Sequence, residues 1–135
     1  MKPKVFLDSG IFIAFLNRQD RWHPQAVTLF NAEAPPVWST SWLVVSETYS
    51  WFLHKMGEEP ARIFRDFLAS LSGLNVFDAT GEHHLGVIKT LDRFRGSKLT
   101  YVDASSLTLI DQHDIPQVWS TDRHLALSGA QVLPR

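Results

Sequence analysis

Short strand-like runs alternate with helical patterns along this chain, and that alternation limits its possible folds more than any other feature. Five runs are typical of strands: residues 4–8, 37–41, 74–79, 117–122 and 131–133. Because strands that alternate with helices form right-handed βαβ units, the sequence predicts an α/β fold with a mostly parallel central sheet. We expect four to five strands, with helices on both faces of the sheet.

Six further segments carry apolar residues at helical spacing: residues 9–17, 23–33, 42–56, 60–71, 82–94 and 103–113. One apolar face is expected on the fourth segment, formed by Ile63, Phe64, Phe67, Leu68 and Leu71. The apolar residues of the fifth segment are Leu85, Val87, Ile88 and Leu91. Residues 95–102, between the last two helices, are predicted to form a loop.

Composition excludes several classes of protein. The length of 135 residues and the 44% hydrophobic content fit a single domain over residues 1–135. The 13 basic and 14 acidic side chains give a net charge of -1, which leaves a nucleic-acid partner open, because a local basic stripe beside an acidic site would cancel in the sum. The absence of cysteine excludes disulfides, thiolate catalysis and cysteine-ligated zinc, and is compatible with a cytoplasmic protein.

The apolar stretch from Val5 to Leu16 is expected to be folded structure. Asp8, Ser9 and Gly10 interrupt it, and no small-residue cleavage site follows, so the pattern fits neither a signal peptide nor a membrane span. We therefore expect no membrane partner.

Four acidic residues stand where the predicted sheet would carry a site. Asp8 and Asp122 close the first and fourth strand runs, and Asp103 starts a helix directly after a short apolar pair. Glu47 lies in a helix that is otherwise apolar. In an open α/β sheet the site lies outside the carboxyl ends of the strands, so these carboxylates are candidates for one pocket. Taken singly, each is also explained as a helix cap, a turn residue or a solvated helix residue.

The four acids would form a metal site if they converge, because clustered carboxylates repel one another unless a cation neutralises them. The chain has no cysteine and no pair of histidines at metal-ligand spacing, so oxygen ligation favours Mg²⁺ or Mn²⁺ over zinc. Such ions activate water and orient it towards a phosphodiester. The residues therefore predict metal-dependent chemistry on phosphates.

Four short motifs occur in a characteristic order along the chain: VFLDSGIFIAF from residue 5, SETY from residue 46, LTYVDASSLTLI from residue 99 and VWSTDRHL from residue 118. In this order and spacing they resemble the PIN-domain ribonucleases, most closely the VapC-like toxins of toxin-antitoxin pairs. The resemblance covers essentially the whole chain. It implies a PIN-like fold and a metal-dependent endoribonuclease that cleaves RNA as the toxin of such a pair, with an antitoxin partner and a homodimer.

The resemblance also implies roles for particular residues. The catalytic and metal-binding acids of the family correspond to the acids already grouped: Asp8, Glu47, Asp103 and Asp122. Ser9 and Ser120 match the hydroxyl residues that the family places near the first and last acids, where they orient a ligand or water. The chain departs from the family pattern at Gly10, where a serine usually follows a threonine, and at Leu125, where a phenylalanine is frequent. The first departure leaves the supporting role of position 10 open.

Basic residues beside the acids are candidates for contacts to RNA phosphates. Arg93, Arg95 and Lys98 cluster in a glycine-containing stretch just before Asp103. Arg123 follows a presumed metal ligand and is a further candidate, although it would equally serve to balance the charge of its neighbour.

The histidines and most aromatic residues are expected to have structural roles. His124 and the pair His83 and His84 are assigned no acid–base role, because metal-activated water needs no histidine base. Five Trp and nine Phe residues are expected to pack mainly in the core. A subset is a candidate hydrophobic groove for an antitoxin segment or a second copy of the chain: Trp42, Tyr49, Trp51 and Phe52, with Phe64 or Phe67.

The sequence leaves two alternative functions open. A catalytically silent PIN-like domain would bind RNA or a protein through the same fold. A different α/β phosphate enzyme is disfavoured, because a haloacid-type phosphatase needs a second aspartate at position 10, which is Gly10, and a receiver domain needs early paired acids and a late lysine. No Walker loop or dinucleotide-binding glycine motif is present.

Overall fold

The computed structural model describes residues 2–135, which form a five-stranded sheet surrounded by helices. The strands are β1 Lys4–Leu7, β2 Val37–Ser41, β3 Asn75–Phe77, β4 Gln117–Trp119 and β5 Gln131–Leu133. The helices are α1 Ser9–Leu16, α2 His23–Phe30, α3 Trp42–Met56, α4 Glu58–Ser70, α5 Gly81–Arg93 and α6 Tyr101–Gln112, followed by a 3-10 helix over Arg123–Ser128.

All neighbouring strands in the sheet are parallel, in the order β3-β2-β1-β4-β5. The central strand β1 is buried on both faces, since Val5, Phe6 and Leu7 are all inaccessible to solvent. This arrangement confirms the predicted α/β fold with helices on both faces. The chain moves outward from β1 to β2 and β3, then returns to place β4 on the other side of β1. The carboxyl ends of β1 and β4 therefore flank the point where the strand order reverses, which is where open α/β sheets carry their sites.

Strand β2 contains several polar residues and is nevertheless buried, because its hydroxyl groups form hydrogen bonds with the backbone of β1. The Ser39 hydroxyl donates to the carbonyl oxygen of Val5 at 2.9 Å, and the Thr40 hydroxyl donates to that of Leu7 at 2.8 Å. Buried hydroxyls that find backbone acceptors avoid the desolvation cost of an unpaired polar group. These bonds also fix β2 against the strand that leads to Asp8.

An aromatic cluster forms much of the core beside the sheet, as the composition predicted. Phe12 and Phe64 meet edge-to-face with ring centroids 5.3 Å apart, and Phe30 meets Phe67 in the same way at 5.3 Å. Such pairs contribute about 0.5–1.5 kcal/mol each beyond the area they bury. The cluster joins α1, α2 and α4, so the helix that starts at the first acid is held by packing along its length.

Side-chain caps set the starts of α3, α5 and α6, and the cap of α6 corrects a predicted boundary. The Thr100 hydroxyl accepts from the backbone N–H of Asp103 at 3.1 Å, so α6 begins at Tyr101 and not at Asp103. Asp103 therefore lies in the first turn of α6. Residues 101–102, predicted as part of a loop, are helical for the same reason.

The predicted strand runs extend beyond the strands that form. β1 ends at Leu7 and β4 ends at Trp119, so Asp8 and Asp122 lie in the segments that follow the strands. In the second case the Ser120 hydroxyl accepts from the backbone N–H of Asp122 at 2.9 Å, which turns the chain out of the sheet.

Three apolar residues of the helical patterns are exposed: Ile63 on α4, which was expected on an apolar face, and Leu85 and Ile88 on α5. Each helix buries a narrower stripe than the sequence predicted. On α5 the stripe consists of His83 and Val87, which lie one turn apart. Phe64 on α4 is fully buried, as predicted.

None of the helices within residues 2–135 combines the length and the apolar character that a membrane span requires.

Candidate metal centre

Asp8 is fixed at the carboxyl end of β1 by contacts from the neighbouring strand. Its backbone N–H donates to the carbonyl oxygen of Trp119 at 3.1 Å, which extends the β1–β4 pairing by one bond. Its side chain is only 3% exposed, and Oδ2 accepts a hydrogen bond from the Ser120 hydroxyl at 2.7 Å. Ser120 also accepts from the Asp122 N–H, so one hydroxyl joins the first acid to the segment that carries the last.

Burial raises the pKa of the Asp8 carboxyl to about 7. Hydrogen bonds from the Ser120 side chain and the Ser9 backbone oppose the shift, and the negative charges of Asp103 and Glu47 add to it. The anionic form of Asp8 is therefore disfavoured unless positive charge is supplied nearby.

Asp103, Asp122 and His124 form a cluster in which one ligand atom of each lies within 4.8 Å of the others. Asp103 is buried in the first turn of α6, and Asp122 caps the 3-10 helix, since its Oδ1 accepts from the backbone N–H of His124 at 2.9 Å. The His124 Nδ1 atom lies 3.6 Å from Asp103 Oδ2 and 3.4 Å from Asp122 Oδ1.

Glu47 on α3 is exposed and stands outside this cluster. It lies close enough to Asp8 for its charge to raise the pKa of that carboxyl, as does the charge of Asp103. The four predicted acids thus occupy one neighbourhood, with Asp103 and Asp122 in the tight cluster and Asp8 linked through Ser120 to the backbone of Asp122.

The donor set fits a divalent cation. Among residues 2–135, Arg62 is the only lysine or arginine in a salt bridge, and it pairs with Glu59 and Asp66, so no lysine or arginine forms a salt bridge with Asp8, Asp103 or Asp122. Two buried carboxylates and a third beside them are unfavourable without a counter-charge. Carboxylate oxygens are the ligands that Mg²⁺ and Mn²⁺ favour.

Comparison with known proteins decides the family. A model of the PIN domain matches residues 5–128. The chain belongs to the PIN-domain family. This membership confirms the resemblance that the four motifs suggested, and the matched range includes all four acids. No curated protein sequence is significantly similar to this chain.

Solved structures share the fold of this PIN domain. VapC20 of Mycobacterium tuberculosis, a sarcin–ricin loop cleaving toxin, superposes with a TM-score of 0.84 at 24% identity, over 93% of this chain and 95% of that one. VapBC2 of Rickettsia felis, bound to a DNA fragment from its promoter, has a TM-score of 0.65 at 12% identity, with 96% of both chains covered. A toxin-antitoxin complex from Klebsiella pneumoniae has a TM-score of 0.64 at 16% identity, with 96% of both chains covered.

His124 is the residue of this PIN domain that sequence reasoning did not place in the site. The sequence contains no pair of histidines at metal-ligand spacing, whereas the structure combines a single histidine with two acids. The sequence does contain an indication of this contact. An aspartate that caps a helical turn accepts a hydrogen bond from the backbone N–H two residues later, which brings that residue close to the aspartate carboxylate. The Asp122-x-His124 spacing at the end of β4 fits that pattern.

Position 10, where the PIN domain departs from the family pattern, is a site of close approach. A Cβ atom on Gly10 would lie 2.2 Å from the Thr121 hydroxyl oxygen, which is shorter than any tolerated contact. The Thr121 side chain therefore occupies the space that a side chain at position 10 would need. Glycine lets the start of α1 pack against the segment between Ser120 and Asp122.

The predicted phosphate-binding residues differ in the contacts that their side chains already make. Arg93, Arg95 and Lys98 are all exposed, at the end of α5 and in the loop that leads to α6, and the Arg93 guanidinium lies over the Phe94 ring at 4.8 Å. Arg123 is exposed as well, but its guanidinium donates to the carbonyl oxygen of Pro134 at 3.1 Å and lies over the Trp22 ring. Arg123 is thus engaged near the end of the chain.

The remaining histidines of α5 contact α6. The His83 Nε2 atom lies 2.6 Å from the Ser105 hydroxyl, and burial, with the neighbouring His84, lowers the His83 pKa. His84 Nδ1 lies 2.8 Å from the Tyr101 hydroxyl. These partners give both rings structural roles between the two helices.

Proposed function

We propose that this PIN domain is an endoribonuclease that depends on Mg²⁺ or Mn²⁺. Its catalytic and metal-binding residues are four acids: Asp8, Glu47, Asp103 and Asp122. The observation that carries the proposal is the convergence of buried and half-buried carboxylates beside the carboxyl ends of β1 and β4, where no lysine or arginine of residues 2–135 forms a salt bridge with them. Such a set is costly to a fold unless it binds a cation.

Each acid has its own task in this proposal. Asp103 and Asp122 hold the cation, since their oxygens already lie within ligand spacing of each other. Asp8 adds a buried carboxylate that Ser120 keeps in one orientation, while the Ser9 backbone supports it. Glu47 contributes its carboxylate from the solvent-exposed side of the site. A divalent cation supplies, when bound, activation of water and compensation of phosphate charge.

RNA is the proposed substrate. The exposed Arg93, Arg95 and Lys98 lie just before the helix that carries Asp103, where they can contact backbone phosphates of a strand entering the site. Arg123 contributes less, because its guanidinium is already engaged. RNA loops suit such a site better than duplex, since unpaired nucleotides present their phosphates to a narrow cleft. The sarcin–ricin loop, which the structurally similar VapC20 toxin cleaves, belongs to the same class of substrate.

We further propose that the protein is the toxin of a toxin-antitoxin pair and acts in the cytoplasm. The similar structure from Klebsiella pneumoniae is a toxin-antitoxin complex, and that from Rickettsia felis is a VapBC assembly. The α3–α4 groove, a cleft of about 400 Å³ between these helices, is the proposed antitoxin site. Its lining is mostly apolar, with two serines and one basic residue: Trp42, Val45, Tyr49, Phe64 and Leu68, with Ser46, Ser50 and Arg65. Trp42 is 51% exposed, which is unusual for so large an apolar side chain.

A second copy of the chain is the proposed partner for a different surface. Leu85 and Ile88 on α5 and Tyr101 at the start of α6 are all exposed, and they belong to two helices packed on each other. Aromatic and aliphatic residues exposed together are typical of a homodimer interface.

The test is incubation of total RNA with the purified protein in Mg²⁺, in Mn²⁺ and in EDTA. Asp103→Asn removes one metal-binding carboxylate, and Asp111→Asn on the exposed face of α6 is its matched control. We expect cleavage that requires the metal, is lost in Asp103→Asn and is retained in Asp111→Asn.

Absence of cleavage by the folded wild type in either metal would contradict the proposal. Retention of RNA on the protein without cleavage would instead favour the catalytically silent binding domain. Melting curves of each variant exclude loss of fold as the cause of lost activity.

A further inference from the structure

His124 is held so that its ring nitrogen faces the acids of the candidate metal centre. Its backbone N–H donates to Asp122 Oδ1 at 2.9 Å, and the next residue, Leu125, is fully buried. The backbone is therefore fixed on both sides of the ring. The side chain itself remains 44% exposed, which leaves it accessible to a solvent-borne ion.

The spacing between His124 and the acids is longer than that of a hydrogen-bonded pair and fits shared ligation of one ion. The Nδ1 atom lies 3.6 Å from Asp103 Oδ2 and 3.4 Å from Asp122 Oδ1. Charge-assisted N–H···O bonds are shorter, at about 2.7–2.9 Å. Ligand atoms about 2.1 Å from an octahedral ion lie about 3.0 Å apart when adjacent and about 4.2 Å apart when opposite. Both distances fall between these values.

We propose that His124 is a metal ligand through Nδ1, and that the centre consequently prefers Mn²⁺ over Mg²⁺. Mg²⁺ favours a shell of oxygen ligands, whereas first-row transition ions also accept an imidazole nitrogen. A mixed set of Asp103, Asp122 and His124 therefore discriminates between the two ions that an all-carboxylate set would accept almost alike. The inference rests on the proposed metal-dependent function and specifies which ion serves it.

If the His124 ring had a different role, the expected effect of removing it would also differ. If His124 only balanced the negative charge of the acids, its removal would leave the affinity for both ions unchanged or would raise it, since the ring would compete with the cation. If His124 is a ligand, its removal weakens Mn²⁺ binding far more than Mg²⁺ binding. The ratio of the two affinities separates these roles.

The experiment measures metal binding to the full chain without RNA. Mn²⁺ affinity is obtained from the electron paramagnetic resonance signal of the free ion, and Mg²⁺ affinity from its competition with Mn²⁺. The proteins are the wild type, His124→Ala and the control His54→Ala, whose histidine is exposed on α3. Electron spin echo measurements on the Mn²⁺-loaded proteins report directly whether a ¹⁴N nucleus is bound to the ion.

We expect the wild type and His54→Ala to show ¹⁴N modulation and to bind Mn²⁺ at least about tenfold more tightly than Mg²⁺. His124→Ala should lose the modulation and about tenfold or more of its Mn²⁺ affinity, with a much smaller change for Mg²⁺. Circular dichroism shows whether each variant keeps its fold.

Wild-type protein without ¹⁴N modulation, or without measurable Mn²⁺ binding, overturns the inference, as does a His124→Ala variant whose affinities for both ions change equally. These outcomes are independent of the RNA assay. Nitrogen ligation without RNA cleavage would sustain the inference and overturn the nuclease proposal, while RNA cleavage without nitrogen ligation would do the reverse.

Discussion

The Ser120 hydroxyl donates a 2.7 Å hydrogen bond to Asp8 Oδ2, although 112 residues separate the two in the chain. Both side chains are buried, and they meet because β1 and β4 are neighbours in the sheet. The same hydroxyl accepts from the backbone N–H of Asp122. Ser120 therefore determines both the orientation of the first acid and the turn that presents the last.

Ser120→Ala is expected to destabilise the protein by about 1–3 kcal/mol, because Asp8 loses a buried donor and the Asp122 N–H loses its acceptor. Urea unfolding of the variant beside wild type measures the change. Ser72→Ala, at an exposed position after α4, serves as the control and should leave stability nearly unchanged. A Ser120→Ala variant as stable as the control would show that the hydroxyl has no structural role at Asp8.

The buried Asp8 carboxyl should make stability depend on pH in the metal-free protein. Its pKa rises from 3.8 to about 7 on folding, so the folded state binds the proton more tightly than the unfolded state. The resulting stabilisation is complete below about pH 4 and is lost as the pH rises through about 7, with a total of a few kcal/mol.

The comparison that isolates this effect is wild type against Asp8→Asn, unfolded in urea with EDTA at pH 5 and pH 8. Asparagine cannot ionise, so Asp8→Asn should lose less stability between these two values than wild type does. Equal losses in the two proteins would mean that Asp8 is not the titrating group.

Gly10 and Thr121 should be coupled in stability. Gly10→Ala introduces a Cβ atom 2.2 Å from the Thr121 hydroxyl oxygen and is expected to cost about 1–3 kcal/mol. Thr121→Ala removes that oxygen, and the closest remaining contacts of the new Cβ are then 3.2 Å or longer. The double variant should therefore recover most of the loss.

Gly81→Ala is the matched control, because a Cβ at that position meets nothing within 4 Å. Denaturant melts of the single and double variants give the coupling energy. A cycle in which the two losses simply add would contradict a direct contact between positions 10 and 121.

The sequence predicted the sheet well because its strands are short apolar runs separated by clear helical patterns. Two predicted boundaries moved for local reasons that involve hydroxyl groups: Thr100 starts α6 early, and Ser120 ends β4 early. The exposure of Leu85 and Ile88 could not be predicted from periodicity, because spacing alone does not show how wide a stripe each helix buries.

The candidate site was predictable where the topology brings strand ends together. Asp8 and Asp122 follow two strands that are adjacent in the sheet, so their proximity follows from the strand order. The position of His124 depends instead on the turn that Asp122 caps, which is a local geometry without an apolar pattern. The close approach of Gly10 to Thr121 likewise joins distant segments, and no single motif contains it.

Metal-dependent cleavage by the clustered acids is tested most directly by the initial rate at which the protein cuts a looped RNA as Mg²⁺ or Mn²⁺ is added. Wild type, Asp8→Asn, Asp103→Asn and the control Asp111→Asn are compared. We predict that cleavage rises with metal in wild type and in the control, and falls at least about a hundredfold in both site variants while they remain folded. Site variants that cleave at the wild-type rate, or a folded wild type that never cleaves, would contradict a nuclease built on these acids.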